Sequence, residues 1–419
     1  MQSVLLINPP FERLKGFNIE SMSLGLLSMA SVLDENGYTC HVYDADTSFE
    51  LGNLRKDISG RPATQDNYVK NLENKEHPAW VELQQVVLKY QPKIVGITVK
   101  TPHYHSSLQT AILVRSLLPE AIIVVGGPHV TITGDTMLEN EYIDFAFYGE
   151  AEYTFLAFAE AVFHDKDYSA IDGLIYKDGE NIRQNRRPER IKDLDSLPFP
   201  NKELLVFSEQ YRKKLGAIMT SRGCPFECAF CATVPLWGRA TKFRSVENIL
   251  SEIEFLHKKY NIKTFEIVDD TFTLRKKEVI RFCKGLIDRF GERYFNWVCL
   301  TNITVIDSEL LKYLKRAGCF KINIGIESGS DRILKLIHKK TTTDMVRKAV
   351  KMIKRQGLQV HGYFMMGFPQ ETVDEMRQTI SFIKEIRPDS INLCTFTPYP
   401  NTELYQLTVE NGFLSEDET

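Results

Sequence analysis

Two stretches of this chain alternate short β-branched runs with helical segments, and a strip rich in proline and charge separates them. That alternation constrains the fold most. A strand that returns to its sheet after a helix runs parallel to the previous strand, so each stretch builds a parallel sheet flanked by helices. In residues 1–160 the strand candidates are SVLLINPP, YTCHVYDA, KIVGITV (93–99), AIIVVGG (121–127) and DFAFYGE (144–150). KIVGITV and AIIVVGG are continuously apolar, which suits strands covered on both faces. GLLSMASVLDENG reads as an amphipathic helix closed by Gly37. The expected fold is α/β, a doubly wound parallel sheet with its ligand loops beyond the carboxyl ends of the strands. Those loops are residues 8–10, 98–107, 126–131 and 148–155.

Residues 161–212 read as a linker. It holds a small hairpin, DGLIYKDGENI, turning at Lys177-Asp178-Gly179, and then the basic strip RQNRRPERIKDLDSLPFPN. A solvated surface strip and a binding role for these arginines both remain open. From 213 to 419 the alternation returns with longer helices. Strand candidates are AIMTSR (217–222), TFEIVDD (264–270), NWVCLT (296–301), KINIGIE (321–327), VHGYFMMG (360–367) and SINLCTF (390–396). Six βα units without an evident seventh and eighth predict a partial (β/α)6 barrel, open on one side.

Composition narrows the class. Hydrophobic residues are 43% and charged residues 26%, and the formal net charge is -3, so no strong field points to nucleic acid or an acidic membrane. The opening MQSVLLINPP has no basic flank and reads as a strand, not a leader. No apolar run approaches the roughly 18 residues that span a bilayer. A cytoplasmic protein without a transmembrane segment is expected. Of the eight cysteines, Cys40, Cys283, Cys299, Cys319 and Cys394 are scattered, mostly in apolar runs, as reduced thiols would be.

The other three are clustered. Ser221-Arg222-Gly223-Cys224-Pro225-Phe226-Glu227-Cys228-Ala229-Phe230-Cys231 has the spacing CxxxCxxC directly after a predicted strand. Three thiolates on one loop can ligate three irons of a cubane. They leave a zinc tetrahedron incomplete, because no histidine is near and Cys283 lies in a predicted helix. The fourth iron stays open to a small chelator with an amine and a carboxylate.

This loop, with Phe230 before its last cysteine, resembles the signature of the radical SAM superfamily. The resemblance implies a TIM-type barrel and a 4Fe–4S cluster on Cys224, Cys228 and Cys231. It also implies chelation and reductive cleavage of S-adenosylmethionine to a 5′-deoxyadenosyl radical. SAM contacts are implied for Phe230, for Asp269 in IVDDTF, for Asn302 in CLTNITVI, for Glu327 and Ser328 in NIGIESGSD, and for Gly367 and Phe368 in HGYFMMGFPQET. Two alternatives stay open: Ser328 as a helix cap, and Asp270 as the cap of the helix after it. Relatives often carry arginine near Asn302, so a charged contact there is in doubt. TPYPNTELY (397–405) resembles a PYPGTELY segment with Asn401 in place of glycine. Asparagine tolerates the left-handed region, so the turn should survive.

SLGLLSMASVLDENGY (23–38), VVGGPHVT (124–131), YGEAEYTF (148–155) and DLDSLPFP (193–200), in that order, resemble the cobalamin-binding-domain radical SAM proteins, of the class B methyltransferase kind. The first domain is then Rossmann-like and binds cobalamin. Implied contacts are Asn8, Pro9, Pro10, Ser23, Leu24, Gly25, Thr98, Thr101, Gly126, Gly127, Pro128, His129, Tyr148, Gly149 and Glu150. Gly126 and Gly127 permit close backbone approach to a planar ligand, although a lone GGP turn is an ordinary βα loop. No Asp-x-His-x-x-Gly loop occurs, so no protein histidine is expected on cobalt, and His103 and His105 read as surface loop residues.

The resemblance implies radical C-methylation of an unactivated carbon. Alternatives are cyclisation, oxidation or ring contraction without methyl transfer and, in another class, a non-catalytic metal-binding docking protein. A methylthio-transferring tRNA enzyme should carry further cysteines in its first domain, where this chain has Cys40 alone. No catalytic side chain is assigned. The expected partners are a small-molecule or lipid-like substrate and a reductase such as flavodoxin or ferredoxin, with no nucleic acid.

Overall fold

The computed structural model describes residues 2–17, 22–47, 64–134, 136–206 and 216–414. The chain divides into two units, Met1–Lys192 with Ser196–Leu215, and Asp193–Asp195 with Gly216–Thr419.

The first unit is built on one seven-stranded sheet: β1 (Ser3–Asn8), β2 (Thr39–Asp44), β3 (Ile94–Thr98), β4 (Ile122–Gly126), β5 (Phe145–Phe147), β6 (Leu174–Asp178) and β7 (Asn181–Gln184). The order is β2-β1-β3-β4-β5-β6-β7, and the first five in this order are parallel. Every residue of β1 is buried, as an apolar strand covered on both faces requires. Helices Leu24–Glu35, Pro78–Tyr90, Tyr104–Leu117 and Glu152–Phe163 supply the cover.

The linker expected over 161–212 is corrected here. Its hairpin is β6 and β7, and it extends this sheet antiparallel to β5, with Phe147 opposite Leu174. Leu174 and Ile175 are fully buried, an apolar pair that a free hairpin would leave in water. The basic strip is drawn in too. The Asn201 amide donates to Ser31 Oγ (2.8 Å), and Leu205 bridges Val42 at the opposite sheet edge.

The second unit carries six parallel strands in the order β15-β14-β13-β12-β11-β8: β8 (Ala217–Ile218), β11 (Thr264–Ile267), β12 (Asn296–Thr301), β13 (Cys319–Glu327), β14 (Gln359–Met366) and β15 (Ser390–Thr395). β8 and β15 are both edges, so the sheet is open, as six units predict. The first predicted strand breaks after Ile218. Its second half, β9 (Ser221–Arg222), pairs antiparallel with β10 (Lys242–Phe243). Alternate residues such as Phe265, Ile267, Trp297, Cys299, Ile322, Ile324 and Val360 pack against helices Val246–Tyr260, Lys276–Phe290, Ser308–Arg316 and Thr343–Arg355. Ser245, Asp307 and Thr342 cap three of these helices, and Thr372 and Glu375 form a capping box on the helix Val373–Ile386.

Arg244 secures the strand break. Its guanidinium donates to Met219 O (2.8 Å) and Asn248 Oδ1 (2.7 Å) and pairs with Glu252, whose side chain is 2% exposed. Glu252→Ala strands a buried cation, so unfolding in urea should show a loss of about 3 kcal/mol or more. Glu254→Ala removes the surface pair with Lys258 and should cost less than about 1 kcal/mol.

Candidate functional site

The cysteine loop leaves the sheet directly after β9, with Gly223 at φ 93°. It is stitched down at its middle. The Ala229 amide donates to Ile337 O, and the Leu404 amide donates to Ala229 O, both at 3.0 Å. Ala229 packs in a small apolar cluster with Ile333, Leu334, Ile337, Phe368, Phe396 and Leu404, against which Phe230 lies. Cys224, Cys228 and Cys231 are free and half-buried. Burial pushes the Cys224 thiol up, and it pushes the Cys228 thiol up to about 11. Cys228 also feels the charges of Cys231 and Cys224, so the three thiols share one neighbourhood. Among the described residues no three His, Cys, Asp or Glu side chains gather around one point, as a single metal ion demands. A cubane places no such demand, because each thiolate binds a different iron. The donor set therefore fits a cluster with one open iron.

Beside the thiols stands Lys339, which sequence reading missed. Its Nζ lies 2.7 Å from Glu327 Oε1, and the two side chains are 10% and 9% exposed. Burial works against the lysine's charge, but Glu327 and then Cys228 outweigh it, and its pKa rises above the ordinary value. The same ammonium opposes the burial of Cys228 and lies 6.0 Å from the Phe230 ring centroid. The backbone makes room for this pair. Glu327 is left-handed (φ 67°) at a register shift in β13, and a Cβ on Gly325 would sit 2.4 Å from Glu327 Oε1 and 2.8 Å from Lys339 Nζ. In the sequence, Lys339 sits in an ordinary basic run, His338-Lys339-Lys340, and nothing there marks it as buried.

Phe230, Glu327 and Phe368 thus join the cysteines. The other expected SAM contacts have neighbours of their own. The buried carboxylate of Asp269 accepts from Thr220 N (2.6 Å), Thr220 Oγ1 and Ser221 Oγ (2.7 Å), so it clamps the strand break that launches the cysteine loop. Burial raises its pKa against the pull of those bonds. Asn302 Oδ1 caps the turn Ile303–Val305, accepting from Thr304 N and Oγ1, both at 2.9 Å. Ser328 is fully buried, with its hydroxyl 3.2 Å from Thr379 Oγ1 and accepting from Ser330 N. The helix cap suggested for Ser328 belongs to Ser330. Asp270 is exposed and caps nothing, since the next helix begins after Arg275. The Gly367 and Phe368 amides point at Glu371 Oε2, at 2.6 and 3.2 Å, leaving Phe368 to serve through its buried ring. Asn401 does take the left-handed conformation (φ 60°), and the turn survives.

In the first unit, β1 and β3 flank the point where the strand order reverses, which is where such sheets bind ligands. Asn8, at the end of β1, donates to Asp44 Oδ1 (2.8 Å) and accepts from Lys100, while Ser23 Oγ donates to Asp44 Oδ2 (3.1 Å). Pro9 and Pro10 are buried; Leu24 is half-buried and Gly25 open. Along the rim, Thr101 Oγ1 lies 3.3 Å from His129 Nδ1, and Gly149 N donates to Thr131 Oγ1. Burial lowers the His129 pKa. Gly127 (φ 99°) is tight for an internal reason: a Cβ there would meet Thr98 Oγ1 at 2.6 Å. At Gly126 the approach is looser, with a Cβ 3.3 Å from Phe147 O, while Pro128 is exposed. Tyr148, Gly149 and Glu150 hold the strip after the hairpin. The Tyr148 hydroxyl donates to Asn185 O, a Cβ on Gly149 would strike Pro188, and Glu150 Oε2 accepts from Ile191 N at 2.6 Å. His103 is corrected: it is buried and stacked on Phe11 with centroids 4.5 Å apart, and burial lowers its pKa to about 3. His105 is exposed as expected.

Residues 218–383 match the radical SAM superfamily, and residues 64–159 match the B12 binding domain. An uncharacterized methyltransferase of Pyrococcus horikoshii is 34% identical over 80% of this chain and 73% of its own length. The anaerobic magnesium-protoporphyrin IX monomethyl ester cyclase of Rubrivivax gelatinosus is 28% identical over 78% of this chain and 60% of its own. Among solved structures, the radical S-adenosylmethionine methyltransferase TsrM from Kitasatospora setae, with cobalamin and a 4Fe–4S cluster bound, superposes with a TM-score of 0.74. That match covers 98% of this chain and 75% of TsrM at 16% identity, so it speaks to the fold.

Two outcomes follow from the clamp and the ion pair. Asp269→Ala should leave clearly less iron per chain after anaerobic reconstitution, whereas Asp270→Ala should match the parent; iron and sulfide assays decide. Lys339→Met buries Glu327 unpaired and should lower unfolding stability by about 3–5 kcal/mol, with the double variant Glu327→Met/Lys339→Met recovering much of it.

Proposed function

The chain belongs to the radical SAM superfamily, among the members that carry a B12-binding domain, and from that premise we propose that it methylates an unactivated carbon of a small molecule. The observation that carries this reading is the three-thiol loop beside a buried ammonium, in one chain with a corrinoid-type sheet. When bound, the cluster, SAM and cobalamin supply the reducing electron, the radical precursor and the methyl carrier. The chain's own residues do the rest. Cys224, Cys228 and Cys231 hold the cluster and leave one iron free. Lys339, held charged by Glu327, favours the thiolate form of Cys228 and offers a cation to a chelating carboxylate. The apolar cluster around Phe368 keeps the loop's inner side dry. Phe230, half-buried and backed by the Phe368 ring with centroids 6.1 Å apart, offers its ring to an adenine.

On the first unit, the rim from Ser23 through Asn8 to Thr101 and His129 is our proposed cobalamin seat. No histidine of this seat is assigned to cobalt, because His103 is buried in a stack and His129 is buried against Thr101. Electron paramagnetic resonance of the Co(II) form should therefore lack nitrogen splitting from a protein ligand. A flavodoxin- or ferredoxin-type reductase and a cytoplasmic setting complete the proposal. No helix among the described residues is long and apolar enough to cross a membrane.

The 28% identity to a cyclase favours one second reading, cyclisation without methyl transfer. The two separate cleanly. Protein reconstituted with iron, sulfide and hydroxocobalamin, then given SAM and a reductant, should retain its corrin bands through gel filtration. It should form S-adenosylhomocysteine as well as 5′-deoxyadenosine. Formation of 5′-deoxyadenosine alone would withdraw methylation and leave the cyclase-type reading.

A further inference from the structure

Strand alternation sorts the six-stranded sheet into two faces. Phe265, Ile267, Trp297, Ile322, Val360 and their like face the helices. The other face is mixed: β12 lends it Val298 and Leu300, and polar side chains come from the other strands. It presents Glu266 from β11, Lys321 and Asn323 from β13, and His361 and Tyr363 from β14. Register places them: Glu266 pairs with Val298 and Val298 with Lys321, while Asn323 lies opposite His361 and His361 opposite Ser390. Glu266 and Lys321 are thus two strands apart in one row, about 10 Å by strand spacing.

The chain leaves both charges unmatched. Among the described residues neither side chain makes an ion pair or a hydrogen bond, although burial raises the Glu266 pKa and the charge of Lys321 works against that. Asn323 is 4% exposed, and its Oδ1 has no partner. Buried acceptors are nearly always paired, so this oxygen is unmatched in the same way. His361 is held by Ser390 Oγ (2.7 Å) and by the Tyr363 ring (4.7 Å between centroids), and burial and then the charge of Lys321 lower its pKa.

We infer that this face is the substrate wall and that it selects a small, water-soluble molecule carrying both an acidic and a basic group. The acidic group faces Lys321, the basic group faces Glu266, and an N–H or O–H between them donates to Asn323 Oδ1. An acyl chain or an extended apolar ring would desolvate both charges and satisfy none of these groups. The inference rests on the radical SAM reading above and names the substrate class that the reading leaves open.

Calorimetry on the anaerobically reconstituted full chain tests it with a matched set: 6-aminohexanoate as the zwitterionic probe, with hexanoate and hexylamine as single-charge controls. The zwitterion should bind saturably and about tenfold tighter than either control. Glu266→Gln should weaken 6-aminohexanoate and hexylamine by about fivefold and spare hexanoate; Lys321→Met should weaken 6-aminohexanoate and hexanoate and spare hexylamine. Equal binding of the three probes, binding unaffected by both substitutions, or no saturable binding would overturn the substrate class. SAM cleavage by the unsubstituted protein is measured separately. If 5′-deoxyadenosine forms and the probe fails, the wall alone falls; if no 5′-deoxyadenosine forms, the radical SAM reading itself fails.

Discussion

One buried carboxylate organises the second unit. Asp269 stands at the end of β11 and takes the hydrogen bonds of Thr220 and Ser221, where the neighbouring strand stops pairing with it. Without that acceptor, the break would leave a buried amide and two hydroxyls unpaired, a cost comparable to the stability of a small domain. The break is worth keeping because it turns the chain. β9 swings away to pair with β10, and the cysteine loop follows in a direction the parallel sheet would not allow. Arg244, fixed by Glu252, holds the other side of the same break. The three cysteines therefore follow a strand break held by two buried charges, each engaged by groups of the chain.

The cysteine loop obeys a related economy. Its middle residue, Ala229, is small and apolar, and both its amide and its carbonyl are bonded to other elements. The thiols on either side are left half-exposed. Lys339 then counters the burial that would keep Cys228 protonated. An uncompensated lysine in that position would be expelled; the left-handed turn at Glu327 and the missing side chain of Gly325 bring its counter-charge to it.

Much of this architecture is legible in the sequence, because parallel strands and capped helices carry strong local patterns. The covered strands of the first sheet read as continuous apolar runs, and the helices of the second unit start at Ser245, Asp307, Thr342 and Thr372 as capping chemistry dictates. The cysteine spacing is equally local. What failed was anything that depends on distant pairing. The hairpin looked detached because antiparallel pairing with β5 leaves no mark beyond its two buried residues. Lys339 drew no reading at all, because burial of a charge is decided by a partner twelve positions away on another element. Asp269, Asn302 and Ser328 carry the polar types expected at a cofactor mouth, yet each is engaged by its own backbone or by a neighbouring hydroxyl. Polar residues after strands answer to the turns first, and pattern alone does not separate the two uses.

The antiparallel hairpin has a consequence for how the molecule behaves among its own copies. A parallel sheet ending at β5 would offer a short, flat, apolar rim to any extended chain nearby. β6 and β7 cover that rim. β7, Asn181 to Gln184, is mostly exposed, and Arg183 on it is tied to Asp178 across the turn. A short, charged outer strand is a poor template for another strand. The same segment that looked like idle linker thus protects a strand-rich, apolar sheet from self-association at the concentrations a cell imposes.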